Sequence, residues 1–524
     1  MRTECGIFAA IGQHIPAEFV LHGMRNIQHR GQDSYGLVSI SGGLGVVSEI
    51  KEFGLLPNSL LDLLNVEPST TQFANPSIEK SSQELVLELP NPTDIVLGHT
   101  RYSTVAATVD KEAIQPIELS VMDSNSGAMV YIAFNGNLPN VDANMKRTLG
   151  IQELEGPSDT FLFRAIWQQL EKQKKEKGEE LADLAVEFAR YCITRIPGAY
   201  SCVVLVDNKL IGFRDRYGYK PLWCYWPRMS CQPQTMGFVS ETVQLNQLGQ
   251  ANHLYILAGY NLVEVPPGSY LILDADTPIV VQPNINSVIS LPRPELSRCS
   301  MKVIYFMQDS SLVEYDNLAV PNGALTILDI KYRLGQQLAK EELGVPFEAQ
   351  VIYVPESSYN YALGYSRELG LEFISGAIKK IYNIRSFIES NTEARVGKIK
   401  RKFEFAFDLI TSPDVILIDD SLVRGNTMNY IIGQLRELRP ELKVHIRIAS
   451  PIIKDRCWYG IDIAERDELV WWQTGANLDA LQKYLGVASI QYLSPDGLSS
   501  VLGSGYCQYC FGGESDANRR TLEW

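Results

Sequence analysis

Two rhythms of apolar and polar positions divide this chain. From about Cys5 to Leu273 the apolar residues come in many short runs broken by turn signals, which predicts a β-rich region with some helix. In SCVVLVDNKLIGFRD a DNK turn separates two apolar runs and predicts a hairpin, and VPPGSYLIL predicts a turn followed by a strand. Thr160 to Cys192 carries helical spacing, broken by the charged, glycine-containing turn KQKKEKGEE. Asn65 to Asp94 is polar and rich in Pro, Ser and Thr, the pattern of a surface insertion. Asp274 to Pro294 holds four prolines and few charges, and is expected to be a link. Beyond it the period changes. Apolar strands in QVIYVPES, DVILIDD and VHIRIAS alternate with amphipathic segments, one of which carries Met428, Ile431, Ile432, Leu435 and Leu438. That alternation predicts a mostly parallel sheet with helices on its faces.

Bulk properties narrow the function classes. The 524 residues suffice for two or more domains with sizeable cores, and 45% hydrophobic with 21% charged residues is ordinary for a globular protein. A net charge of −14 argues against a nucleic-acid binder that relies on bulk positive charge. No apolar run is long enough to span a bilayer, and MRTECGIFAA lacks the layout of a signal peptide, so a cytoplasmic address and no membrane partner are expected. Nine cysteines, an odd number, do not suggest a disulfide framework in a chain of this size.

The stretch VILIDDSLVRGNT, from Val415 to Thr427, ends an apolar strand on two adjacent carboxylates. Ligands of open α/β sheets sit at the carboxyl ends of strands. The small residues that follow lead into a helix, so backbone N–H groups and the helix N-terminus form an anion site. Carboxylates beside an anion site would repel a phosphate. They suit vicinal hydroxyls, or a Mg²⁺ that the substrate also contacts. A diol and a phosphate on one small molecule describe a ribose 5-phosphate. The string resembles the ribose-phosphate signature of the type I phosphoribosyltransferases. The resemblance implies that Asp419 and Asp420 take the diol or Mg²⁺ and that Ser421, Arg424, Gly425, Asn426 and Thr427 line the phosphate loop. In QVIYVPESSYNYALGYSRELG, Glu356, Ser357 and Ser358 resemble the same family's pyrophosphate loop; taken alone, PESS is equally a helix N-cap. Between the two loops lies a basic segment with Lys379, Lys380, Arg385, Arg395, Lys398, Lys400, Arg401 and Lys402, either a solvated face or a flap that closes on a polyanion. The substrate implied is phosphoribosyl pyrophosphate, with contacts from Lys379 and Arg385 in that flap.

At the amino end, CGIF from Cys5, QHRGQDSYG, GHTRYST, FNGNLPN and PSDTFLF resemble, in order and spacing, the glutaminase domain of the class II (N-terminal nucleophile) amidotransferases. The chemistry suits the residue types. Cysteine is intrinsically nucleophilic near neutral pH. If Met1 to Glu4 are removed as a propeptide, Cys5 gains a free α-amine whose ordinary pKa is near neutral, so it can act as the general base. The resemblance implies an oxyanion hole from the Asn135 amide and the Gly136 N–H, Arg101 on the α-carboxylate of glutamine, Asp159 on its α-ammonium, and His99 and Arg30 as residues that order the site.

Together the two halves resemble the glutamine phosphoribosylpyrophosphate amidotransferase family over essentially the whole chain; RDRYGYKPLW, VSETVQLNQLG and YLSPDGLSSVLG fall in family order. The fold implied is an αββα N-terminal-nucleophile glutaminase domain at 5–280, then an α/β type I phosphoribosyltransferase domain at 295–505, then a tail at 506–524. The activity implied is the first step of purine synthesis: ammonia freed at Cys5 passes through a closed channel to C1 of the sugar and displaces pyrophosphate. Tyr305 is the candidate for linking the sites. Family members made with a propeptide carry a [4Fe–4S] cluster, which implies Cys299, Cys457, Cys507 and Cys510 as ligands, although the spacing alone equally fits Zn²⁺. Purine nucleotide inhibitors and a homodimer or homotetramer are also implied. The chain departs from the family at Phe134, Gln308 and Ile381, at Arg216 and Tyr217, and in KFEFAFDL. The competing expectations are a regulatory paralogue on the same fold and a glutaminase serving a different acceptor.

Overall fold

The computed structural model describes residues 5–41, 46–56, 94–101, 111–119, 130–138, 160–177, 183–228, 234–245, 260–275, 285–287, 297–314, 324–346, 348–380, 403–457, 459–461, 463 and 465–513. They form two compact units: described residues through 298, together with 459–461, and residues 299–457 with those from 463 on.

The N-terminal unit is built from two antiparallel sheets. The first has seven strands in the order Tyr260–Glu264, Trp223–Pro227, Thr235–Val239, Gly6–Gly12, Ile95–Arg101, Ser34–Ser41, Val46–Phe53. The second has six, in the order Ile285–Ser287, Ser269–Asp274, Lys209–Arg214, Ala199–Val206, Val130–Asn137, Ile117–Glu118. Alternation along the strands decides what faces what. Ile7, Ala9, Ile11 and Leu97 of the first sheet share one buried cluster with Tyr131, Ala133, Val203 and Leu205 of the second. The other face of the second sheet, with Ile132, Phe134, Cys202 and Phe213, packs on helices Thr160–Lys177 and Leu184–Arg195 through Phe163, Trp167 and Phe188. Helix Ala17–Arg25 covers the outer face of the first sheet, where Phe8 meets Phe19 edge-on at 5.7 Å. The order is therefore helix, sheet, sheet, helix, because both faces of each central strand are apolar and each needs a cover. The expected hairpin is present as Ala199–Val206 and Lys209–Arg214. The proline-rich stretch expected to be a link behaves differently. Within it, Ile285–Ser287 pairs antiparallel with Ser269–Leu271 and adds an edge strand to the second sheet.

The C-terminal unit has a five-stranded sheet in the order Glu372–Phe373, Gln350–Tyr353, Asp414–Asp419, Lys443–Ile448, Ser489–Tyr492, with every pairing parallel. All six residues of the central strand are buried. Val415 and Leu417 pack on Met428, Ile431, Ile432 and Leu435 of helix Asn426–Leu438. Leu438, expected on that apolar face, is 56% exposed because the helix ends there. The antiparallel pair Ile378–Lys380 and Phe403–Phe405 brackets residues 381–402, which, with Arg385, lie outside the described residues. Among the described residues no helix is long and apolar enough to cross a membrane.

Candidate functional site

In the N-terminal unit the strand Gly6–Gly12 pairs antiparallel with Ile95–Arg101, Gly6 opposite Thr100. Cys5 immediately precedes the first of these strands and Arg101 ends the second, so both lie at the same end of the pair. The turn before strand Ser34–Ser41 closes on the same place. Asp33 N–H donates to Arg101 O at 3.1 Å, and a Cβ on Gly31 would stand 2.4 Å from the carbonyl carbon of Thr100. Only glycine permits that approach, which is why RGQD carries one there.

The carbonyl oxygen of Cys5 is a focus of hydrogen bonds. Arg30 Nε donates to it at 3.1 Å. The hydrogen-bond network orients the buried Asn135 amide so that its nitrogen donates to the same oxygen at 3.2 Å while its own oxygen accepts from Arg30 Nη2 at 3.3 Å. The amide that the resemblance assigns to an oxyanion hole thus also holds the Cys5 backbone. The opposite edge of Arg30 donates to Glu241 Oε1 at 2.6 Å, and His29 Nε2 stands 3.2 Å from the same oxygen. Burial would raise the Glu241 carboxyl, but the charges and hydrogen bonds of His29 and Arg30 outweigh it and hold the group well below the usual carboxylate range. His99 is fully buried, and burial pushes its imidazole down to about 3, so it is neutral at physiological pH. Its Nε2 lies 3.0 Å from Phe134 O and, in the neutral ring, donates there.

Arg101 Nη1 donates to Ala113 O at 2.7 Å, so the 111–119 segment steadies the guanidinium. Gln115 in that segment accepts from Phe134 N–H at 2.6 Å and donates to Thr160 Oγ1 at 3.2 Å. It thereby joins the strand carrying Asn135 and Gly136 to the helix that follows Asp159, which itself lies outside the described residues. Gly136 sits in the ladder opposite Tyr200, and a Cβ there would meet Ala199 O at 2.4 Å. Phe134, the departure before Asn135, fills space against Phe163 with ring centroids 5.0 Å apart. At this position the departure has taken a packing role.

In the C-terminal unit the carboxylate pair stands at the carboxyl end of the central strand, next to the loop that ends strand Gln350–Tyr353. Both aspartates are buried, Asp419 at 8% and Asp420 at 2% exposure. Ser358 Oγ ties the two loops together, donating to Asp419 Oδ1 at 2.9 Å and accepting from Asp420 N–H at 3.0 Å. Ser358 occupies the N-cap position of helix Tyr359–Leu369, yet its side chain makes no cap bond. It serves the aspartates instead. Ser421 Oγ donates to Asp420 Oδ1 at 2.7 Å, while Asp420 Oδ2 is buried without a hydrogen-bond partner. Burial pushes the Asp420 carboxyl up, and the hydroxyls of Ser357 and Ser421 and the Lys331 charge draw it part of the way back. An orphaned, buried carboxylate oxygen fits a hydroxyl donor or a hard cation.

Gly425 adopts φ +77°, the left-handed conformation, and starts helix Asn426–Leu438, so the first-turn N–H groups from Asn426 and Thr427 onward have no partner within the helix. Arg424 lies in the loop but its Nη2 pairs with Glu468 Oε2 at 2.9 Å. Lys380 Nζ stands 3.6 Å from Glu356 Oε2, bringing the stem of the basic segment to the second loop; Lys379 is its exposed neighbour. Lys331 is 3% exposed and pairs with Asp309 Oδ1 at 2.7 Å, and Asn360 Nδ2 donates to Asp309 Oδ2 at 2.8 Å. Tyr305 lies in a wide π-helical turn, Lys302–Phe306, closed by Met307 N–H to Lys302 O. Its hydroxyl is enclosed although the residue is 38% exposed, and enclosure, then the Asp420 and Asp419 charges, push the phenol up.

The segments carrying the four implied ligand cysteines converge. The strand ending at Cys299 pairs with the strand ending at Cys507, and Ser300 Oγ donates to Cys507 O at 2.6 Å. Cys510 O accepts from Lys454 N–H at 2.7 Å and Asp455 N–H at 3.1 Å, just before Cys457. The convergence is one of backbone. Among the described residues no group of three or more His, Cys, Asp or Glu side chains is arranged to hold a metal ion. Glu241, Gln115, Lys331 and Asp309 went unnamed in the sequence reading. Glu241 lies in VSETVQLNQLG and Asp309 in VIYFMQDSS beside Tyr305 and Gln308, whereas Gln115 and Lys331 lie in no motif.

Comparison with known proteins bears on the family. No family model matches the chain. The amidophosphoribosyltransferase of Rattus norvegicus is 30% identical over 521 residues, covering 95% of this chain and 89% of that protein. The chloroplastic amidophosphoribosyltransferase 2 of Arabidopsis thaliana is 28% identical over 535 residues, covering 98% and 79%. The solved glutamine phosphoribosylpyrophosphate amidotransferase of B. subtilis, in complex with ADP and GMP, superposes with a TM-score of 0.73 over 97% of each chain at 23% identity, a likeness of fold. With both halves matched end to end, the chain belongs to the amidophosphoribosyltransferase family.

Proposed function

We propose that this chain hydrolyses glutamine in its N-terminal unit and uses the ammonia to convert 5-phosphoribosyl 1-pyrophosphate into 5-phosphoribosylamine and pyrophosphate in its C-terminal unit, the first step of purine biosynthesis. The observation that carries the reading is that one chain holds both the hydrogen-bonded setting of Cys5 and the buried Asp419–Asp420 pair tied to a second loop by Ser358.

Removal of Met1 to Glu4 would free the α-amine of Cys5. That amine takes the thiol proton, Cys5 Sγ attacks the carboxamide carbon of glutamine, and the C–N bond breaks as the amine returns the proton to the departing nitrogen. Water then hydrolyses the thioester to glutamate. Arg101 suits the α-carboxylate and Asp159 the α-ammonium. The Gly136 N–H and the Asn135 amide, already turned toward Cys5, suit the oxyanion. Arg30 holds the Cys5 backbone, and neutral His99 ties the strand of Arg101 to that of Asn135.

In the second unit, Asp419 and Asp420 suit the ribose diol. Ser421 and the N–H groups of Gly425, Asn426 and Thr427 suit the 5-phosphate; Glu356, Ser357 and Ser358 suit the pyrophosphate. Arg424 reaches the phosphate only by leaving Glu468, and Lys379 and Arg385 close from the basic segment. Ammonia attacks C1, the C–O bond to pyrophosphate breaks, and a proton leaves the new amine. Mg²⁺ held with the substrate at Asp419 and Asp420 would neutralise the departing pyrophosphate. A [4Fe–4S] cluster would be held by Cys299, Cys457, Cys507 and Cys510, whose backbone segments converge, and would have a structural role, because the reaction transfers no electrons. Purine nucleotides, bound by the B. subtilis protein, are the regulators proposed here.

The test is protein beginning at Cys5, with Mg²⁺, assayed for glutamine-dependent release of pyrophosphate. Release at stoichiometry with glutamate is expected, and its absence overturns the reading.

A further inference from the structure

The stretch VSETVQL, Val239 to Leu245, runs beside the nucleophile strand. Ser240 Oγ accepts from Ile7 N–H at 2.9 Å, and Ser240 N–H donates to Ile7 O at 3.1 Å. Gln244 Nε2 donates to Ile7 O at 3.0 Å while its Oε1 accepts from Glu241 N–H at 3.0 Å. One turn thus clamps the residue two places beyond Cys5 and presents Glu241. That glutamate is fully buried and 211 residues from its partner Arg30, which is 1% exposed.

We propose that Glu241 is a positioning residue for glutamine hydrolysis: it anchors and neutralises Arg30, and through Arg30 it sets the backbone of Cys5. Arg30 spends one edge on Cys5 O and Asn135 Oδ1 and the other on Glu241, so Glu241 helps to fix the guanidinium plane from the side away from Cys5. A buried guanidinium also needs a counter-charge. With Glu241 ionised the pair is neutral toward the Cys5 α-amine. Removing that charge leaves the surroundings of the amine one unit more positive. The charged and titratable groups around the nucleophile are Arg30, Glu241 and His29, together with Arg101, Asp33 and the neutral His99.

The inference rests on Cys5 being the nucleophile, and the experiment separates the two. In mature full-length enzyme, Glu241→Gln keeps the shape and removes the charge. It is expected to lower glutaminase kcat by about 10- to 100-fold through misplacement of Cys5. An added cation disfavours the protonated amine, so the acidic limb of kcat/KM is expected to move about one pH unit lower. Ammonia-dependent synthesis of phosphoribosylamine should be unchanged. Glu241→Asp retains the charge at a shorter reach and should lower kcat with the limb in place; it decides the matter if the glutamine variant does not fold. Unchanged kcat and limb in Glu241→Gln, unchanged kcat in Glu241→Asp, or equal loss of both activities would each overturn the proposal. Cys5→Ala is the control: if it still hydrolyses glutamine, the nucleophile assignment fails, whereas a dead Cys5→Ala beside a normal Glu241→Gln sinks only the role of Glu241.

Discussion

Ser358 makes the sharpest single test of the phosphoribosyl site, because one hydroxyl joins two loops that the chain separates by 61 residues. Ser358→Ala removes the donor to Asp419 Oδ1 and the acceptor for Asp420 N–H. The second loss is cushioned, since Asp420 N–H also donates to Asp419 Oδ1 at 2.9 Å. The first is not. A hydrogen bond to an ionised group contributes about 1.5–3 kcal/mol, and the site is buried, so about 2 kcal/mol of loop organisation is lost. If the substrate must restore that order on binding, its affinity falls about 30-fold. The assay is ammonia-dependent pyrophosphate release as a function of phosphoribosyl pyrophosphate, with glutamine hydrolysis measured alongside. The expectation is a raised KM for the sugar phosphate with the glutaminase kcat unaffected. A KM within twofold of the parent in folded protein would refute the idea that Ser358 organises the aspartates for the substrate.

His99 makes folding acid-sensitive: its pKa is lowered from 6.5 unfolded to about 3 folded, so stability is full above pH 6.5 and is lost as pH falls toward 3, by up to about 1.4 kcal/mol per unit, and urea unfolding of His99→Gln should lack that slope. Gly425→Ala puts a side chain at φ +77° and should cost about 1–2 kcal/mol, read as a KM for the sugar phosphate raised about tenfold or more. Anaerobically prepared protein should contain iron and sulfide with broad visible absorbance, and Cys510→Ser should lose both; zinc instead would reassign the four thiols.

Most of the fold was legible because both periods were strong. Strands buried on two faces, such as DVILID, leave an unmistakable apolar run, and the two-residue turn at Asp207 and Asn208 marks its hairpin. The loops at Asp419–Asp420 and Glu356–Ser358 were legible because ligand chemistry collects at the ends of such strands. What stayed hidden depends on tertiary neighbours. No local signal says that Glu241 meets Arg30, or that Lys331 is buried against Asp309 rather than solvated. Ser358 has the sequence signature of an N-cap and a different job. Leu438 matches the helical period but is the last residue of its helix, and the proline-rich stretch hides three residues that complete a sheet edge.

The most direct measurement compares two nitrogen sources in one variant. Cys5→Ala, supplied with phosphoribosyl pyrophosphate and Mg²⁺, should release no pyrophosphate with glutamine and should release it at the parent's rate with concentrated ammonia. Undiminished turnover with glutamine, or no turnover with ammonia in either the parent or the variant, would contradict the division of labour between the two units.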